Sequence, residues 1–324
     1  MRRLAALTVL AALLGTGSAS AGQVSKIKTD RRVAAVAKTS AGAFVTLRGG
    51  ATYKLSRCEK ATVCLKAAQL SGLAPGAPTN GLPDGRIARA SSGDIRQAWY
   101  GRPTTRYGHA VLGDGIEAGS LLARDAAGRT HEFVLPETHV FEDITPRIAD
   151  LDGDGRNEIV AIRSSLRRGG AVAVYGLRDG DLRLLDASEE IGRSRRWLNV
   201  AGIANYLGSS RSVVAWVETP HIGGVLKMAT FENGKLRRFG KNRSGFSNHF
   251  IGSREQELSA TGDFTSDGRL DLALPSADRK SLVIVSERGT SRTRLPGRVA
   301  AALANVGGVI VTADENGDLL VVIP

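Results

Sequence analysis

Asp150-Leu151-Asp152-Gly153-Asp154-Gly155-Arg156-Asn157-Glu158 places carboxylates at the first, third, fifth and ninth positions of one short loop. Alternating acids of this kind suit a hard divalent cation, which takes six to eight oxygens at roughly 2.4 Å, and Gly155 sits where such a loop turns sharply. The acid at the ninth position, where an EF-hand would wait until the twelfth, and the absence of flanking helical periodicity separate this loop from the EF-hand. Ile159-Val160-Ala161-Ile162 and Gly170-Ala171-Val172-Ala173-Val174-Tyr175 follow as apolar runs on either side of Arg163-Ser164-Ser165, a strand, loop, strand pattern.

The loop recurs. Asp263-Phe264-Thr265-Ser266-Asp267-Gly268-Arg269-Leu270-Asp271 aligns with the first copy without a gap, Thr265 standing in for the second acid, and Leu272-Ala273-Leu274 repeats the strand. Between them, residues 203–217 keep the apolar frame but have lost the acids, so this unit is expected to bind no metal. Residues 302–311 keep the strands around a shortened loop. Units about 40 to 58 residues apart, each with several short strands, fall in the range of propellers.

These residues resemble the FG-GAP/VCBS repeat of integrin-α-type β-propellers, most clearly over residues 144–185 and 257–290. The stretches RYGHAVLGDGIEAG, ETPHIGG and FSNHFIGSRE are also similar to uncharacterised secreted repeat proteins of proteobacteria. The resemblance implies calcium held by Asp150, Asp152, Asp154 and Glu158, and by Asp263, Thr265, Asp267 and Asp271, with Arg156 and Arg269 giving backbone carbonyls. It implies an all-β propeller of about seven four-stranded blades, or six, over residues 22–324 as one domain. The last unit, residues 299–324, shows three strands, so ring closure needs a fourth, and Arg32-Val33-Ala34-Ala35-Val36 is the expected donor.

The N-terminus reads as a cleavable secretory leader, residues 1–21: a basic start at Arg2-Arg3, an apolar core from Leu4 to Leu14, and the small residues Ala19-Ser20-Ala21. No later run approaches the roughly 20 apolar residues of a membrane helix. The expected place is the periplasm or the cell exterior, and the only two cysteines, Cys58 and Cys64, are spaced for a small disulfide ring rather than a redox pair.

The chain is strongly basic, with 44 Lys+Arg against 32 Asp+Glu and a net charge of +12. Such a surface attracts polyanions, making an anionic envelope component, polysaccharide or protein the expected partner of a monomeric chain. Nucleic acid is disfavoured by the low aromatic content, 5%, and by the absence of a nucleic-acid motif.

The sequence contains no H-E-x-x-H, no G-x-S-x-G and no phosphate-binding glycine loop. Among the five histidines, His131 and His139 flank a strand-like run and read as edge residues. Strand counting instead places His109, after Tyr107, with His221, Asn248, His249, Arg254 and Glu255 on the face opposite the calcium loops, as a ligand-binding face. Imidazolium beside guanidinium would suit an anionic ligand, and a transition metal is the rival. Asp114, Glu117, Asp143 and Glu218 are too dispersed in sequence to be assigned a role. The resulting expectation is a calcium-stabilised binding module rather than an enzyme, with a polysaccharide hydrolase or lyase, or an envelope-assembly scaffold, as alternatives. A pure binding module would lack strongly shifted titrating groups.

Overall fold

The computed structural model describes residues 22–58, 62–69, 78 and 80–324. Within these residues every regular element is a strand or an isolated bridge. The leader and the proline-bearing stretch 70–77 lie outside the described residues.

Sequence pattern explains which strands are covered and which are wet. Gly169–Arg178 and Ser281–Ser286 read as nearly unbroken apolar or small runs, and both are buried over almost their whole length. Covered on both faces, they have no reason to alternate. Thr130–Val134 and Gly289–Arg294 do alternate or turn polar, and they lie at the solvated side of their sheets.

The strands make five separate antiparallel sheets of four, nine, five, four and four strands, none closed into a propeller arrangement. This corrects the expected β-propeller of about seven four-stranded blades. The largest departure lies between residues 88 and 187, where His139–Phe141 pairs on one side with Glu158–Ser165 and on the other, through Phe141 opposite Ala118, with Glu117–Asp125. One short strand with both edges occupied fuses units that hydropathy alone separates.

The terminal strands also differ from expectation. Gln23–Ile27 pairs with Leu319–Ile323 over five residues, whereas Val33–Thr39 is taken by Gly42–Leu47 through a tight turn and opens its own sheet. Gly42, at φ 119°, lets that hairpin close with Thr39 opposite it, and a local hairpin outcompetes a pairing across nearly the whole chain. The strand Cys64–Ala68 completes this second sheet, and Cys58 is bonded to Cys64 at its start.

Four apolar clusters lie between neighbouring sheets, and a fifth is built within the nine-stranded sheet. Val33–Thr39, Arg147–Ala149 and Leu198–Ala204 contribute, with Arg86, Ile87, Arg89 and residues 254–257, to the wall of a cavity of about 1080 Å³.

Candidate functional site

The acidic loop is built by its own backbone. Asp150 accepts hydrogen bonds from the amides of Gly153 (2.7 Å) and Gly155 (2.9 Å), so its two oxygens fix the turn. Gly155 adopts φ 84°, the conformation its position requires. Asn157 locks the loop to the neighbouring strand, its side-chain amide donating to the carbonyls of Ser92 (2.6 Å) and Ile95 (2.9 Å).

Carboxylate oxygens of Asp150, Asp152 and Glu158 lie within 4.8 Å of one another. This all-oxygen set fits a hard cation. Glu158 is buried, and burial, with Asp152 adding to it, pushes its carboxyl up to about 7 despite Arg178 3.3 Å away; positive charge between the acids would relieve both penalties. Asp154 is not in the group. It turns to its own loop, accepting from the Arg156 amide (2.8 Å) and from Arg156 Nε (3.1 Å).

The second loop copies the backbone of the first without copying the acid cluster. Asp263 accepts from the amides of Asp267 and Gly268, as Asp150 does from its own loop, and Asp267 accepts from the Arg269 amide. Thr265 spends its hydroxyl on Asp271 Oδ2 (3.0 Å). Asp271 Oδ1 is buried and without a hydrogen-bond partner, but among the described residues no three acids gather here. The acid-free unit between the loops docks on this one, with Leu207 N donating to Leu270 O.

The histidines meet elsewhere. Leu198–Ala204 is preceded by Trp197, which stacks on His221 (6.0 Å between ring centres) and touches His249 edge-on (4.7 Å); it is followed by Tyr206, bridged to Leu270 of the second acidic loop. A seven-residue strand, about 20 Å long, therefore separates histidines from acids.

His249 is fully buried. Its Nε2 donates to the Ser253 carbonyl (2.8 Å), so Nδ1 is the acceptor for His221 Nε2 at 2.8 Å, which leaves the His221 Nδ1 lone pair facing outward. Burial pushes His221 down to about 3 and His249 to about 4. Both rings are therefore neutral near pH 7, and neither supplies the imidazolium the sequence suggested. Asn248 is also buried, its amide given to the Asn199 carbonyl, and Tyr107 is buried with its hydroxyl accepting from the Arg195 amide. Arg254 reaches Asp84 (2.8 Å) and Asp114 (2.5 Å), while Glu255 accepts from the Glu257 amide.

His109 is different. Its Nδ1 lies 2.5 Å from Oε1 of Glu142, which is completely buried, while the imidazole itself keeps 18% of its surface open. Ser164 donates to the other Glu142 oxygen (2.6 Å), and the Trp197 indole donates to the Glu142 carbonyl (2.8 Å). Opposite stands Glu117. Phe141 pairs with Ala118, and next to this pair Glu142 lies close enough to Glu117 for its charge to raise the Glu117 carboxyl. Two buried carboxylates so placed do not both ionise. Burial first, then Glu142, pushes Glu117 up to about 10, so it stays protonated; burial raises Glu142 too, against the lowering by its contacts to His109 and Ser164.

The arrangement joins a solvent-reaching imidazole, a buried glutamate hydrogen-bonded to it, and a neutral carboxylic acid near them. It corrects the expectation that a binding module is favoured over an enzyme: strongly displaced titrating groups and a cluster of three acids give the chain catalytic or metal-binding potential. Sequence reading missed Glu142 altogether. The available signal was an acid pair, Glu142-Asp143, set inside the apolar run from Val140 to Ile144, all of it buried.

No family model matches the chain, and no curated protein does. The resemblance to FG-GAP/VCBS repeats is therefore not upheld, in line with the five unclosed sheets. Solved structures with some likeness include the rhamnogalacturonan lyase YesW (14% identity, TM-score 0.46, 91% of this chain and 67% of that one). The rhamnogalacturonan lyase PL11 of Bacillus licheniformis gives 15% identity and a TM-score of 0.45, over 91% of this chain and 66% of that one, just under two thirds of its length. BamB from Moraxella catarrhalis gives 13% and 0.33, over 89% and 71%. At these scores the likenesses carry no argument about chemistry. No helix among the described residues is long and apolar enough to cross a membrane.

Proposed function

We propose that the chain is a secreted enzyme performing acid–base chemistry on a polysaccharide, as a hydrolase or a lyase, with a calcium ion holding the Asp150 loop. The observation that supports this reading is the His109–Glu142 contact backed by a protonated Glu117. With Nδ1–H held by the Glu142 carboxylate, His109 Nε2 is the lone pair left to accept a proton from substrate or from an attacking water. Glu117, neutral in the fold, adds no second negative charge beside Glu142. Residues 22–324 form the acting domain, and the leader at 1–21 directs it out of the cytoplasm.

Calcium enters through Asp150, Asp152 and Glu158. Oxygen-only donors and a flexible, backbone-supported loop suit it better than a softer metal. When bound it would neutralise adjacent carboxylates and rigidify the turn; no chemical step passes through it.

The test is chain cleavage. Purified protein with calcium is incubated with carboxylated and neutral polysaccharides, and reducing ends and unsaturated sugar ends are both measured. His109→Gln and Glu142→Gln should each lower the rate about 100-fold or more, the usual worth of a positioned acid or base. Failure to cleave any polysaccharide in the panel, or cleavage by His109→Gln at the parent rate, sinks the proposal.

A further inference from the structure

The cavity of about 1080 Å³ stands at the upper end of the size range of ligand pockets. Its wall carries five cationic side chains, Lys38, Arg86, Arg89, Arg147 and Arg254, against two acids, Glu255 and Glu257. Three of the cations are engaged: Lys38 with Glu257 (3.1 Å), Arg147 with the buried Asp143, and Arg254 with Asp84 and Asp114. Arg86 and Arg89 are exposed, and neither forms an ion pair with the described residues. Two unpaired guanidiniums three residues apart thus face a space whose own acids are outnumbered. Burial raises the Glu255 carboxyl, while the charges of Lys38 and Arg86 act on it in the opposite direction without closing an ion pair between Arg86 and Glu255.

The cavity is tied to the acid–base cluster by one segment. Gln256, in the cavity wall, donates to Asp143 Oδ1 (3.0 Å), the residue next to Glu142, and Arg254 bridges to Asp114, close to Glu117 in the chain. A chain lying in the cavity would therefore press on the same segment that borders His109.

We propose that this cavity binds a stretch of carboxylated oligosaccharide, with Arg86 and Arg89 gripping its carboxylates. The inference rests on the polysaccharide reading above and gives it a substrate class and a place. Guanidinium forks match carboxylates in geometry, and two of them held at a fixed spacing select a repeating anion over a single one. The large pocket supplies length.

Binding is read separately from cleavage. Calorimetric titration uses a galacturonate hexamer, maltohexaose as its uncharged counterpart and inorganic phosphate, on the parent, on His109→Gln, and on the Arg86→Ala/Arg89→Ala and Arg86→Lys/Arg89→Lys double variants. The parent and His109→Gln should bind the galacturonate hexamer alike, more tightly than maltohexaose or phosphate, and added salt should weaken it. The double alanine variant should lose about tenfold or more in affinity, the scale of charge-assisted contacts removed, and the lysine variant should recover part of it. Equal binding of maltohexaose, phosphate competing at the hexamer's own concentration, or an alanine variant that melts like the parent and binds like it would each overturn the assignment. Hexamer binding without any cleavage would leave this site standing and remove the proposed activity; cleavage of neutral chains without hexamer binding would do the reverse.

Discussion

Glu117 and Glu142 show how packing sets charge. Distant in sequence, they come close enough in the fold for Glu142 to raise the Glu117 carboxyl, which burial raises first. The linkage has a definite sign. Glu117 is ionised in the unfolded chain above its ordinary range near 4.5 and stays protonated in the fold up to about 10, so the native state binds the extra proton between these values and stability falls as pH rises through that window. Glu117→Gln, which keeps the shape and removes the titration, should be more stable than the parent at about pH 9 and closely matched to it at about pH 4, as read from urea midpoints. An unchanged difference across that range would show that Glu117 ionises normally. The histidine pair has the opposite sense. His221 and His249, held near 3 and 4, are neutral in the fold while the unfolded rings gain protons below about 6.5, so stability is lost as pH falls through that interval. His249→Asn at this site should flatten the acid limb of the stability profile; a limb as steep as the parent's would place the acid sensitivity in other groups.

At the level of elements, the two acidic loops share a backbone and differ in what their side chains face. The Asp150 loop gathers three acids, whereas Asp154 is spent on Arg156. Asp152→Ala should therefore abolish most calcium uptake, and Asp154→Ala should leave it nearly intact. Calorimetric titration of chelated protein checks this, and equal losses from both changes would mean that Asp154 swings into the site. Binding confined to the native state stabilises it by about 2.7 kcal/mol at a hundredfold excess over Kd, so chelation should lower the Tm by several degrees in the parent and by little in Asp152→Ala. The second loop, with Thr265 bonded to Asp271, should contribute the smaller part of any uptake.

Across the whole molecule, the strand Gln23–Ile27 matters beyond its length. It covers one edge of Leu319–Ile323, a strand buried in four of its five positions, and Val24 and Ile27 pack against two different apolar clusters. Removing residues 22–27 would expose that edge and its apolar side chains, a template for pairing with other chains. The shortened protein should melt lower and aggregate on heating, measured by light scattering alongside circular dichroism. A monomeric product melting like the parent would show that the pairing is dispensable. The fused nine-stranded sheet makes a second point at this scale: it brings His139–Phe141 against Glu117–Asp125, and with them the two glutamates that hydropathy places in separate units.

Local spacing in the sequence determined the strand-rich class, the turn at Gly155 and the acidic loop, because alternation, φ requirements and ligand order are properties of a few neighbouring residues. It could not determine how many strands each sheet would hold, since His139–Phe141 is three residues long and its choice of two partners depends on edges offered from far along the chain. The same holds for the closing strand, where Val33–Thr39 had a nearby hairpin partner and left the distant edge to Gln23–Ile27. Only the tertiary structure decided the protonation states at the candidate site. Burial and the approach of a second carboxylate or imidazole change the energy of a charge by more than any neighbour in sequence does, and both arise only when distant strands pack.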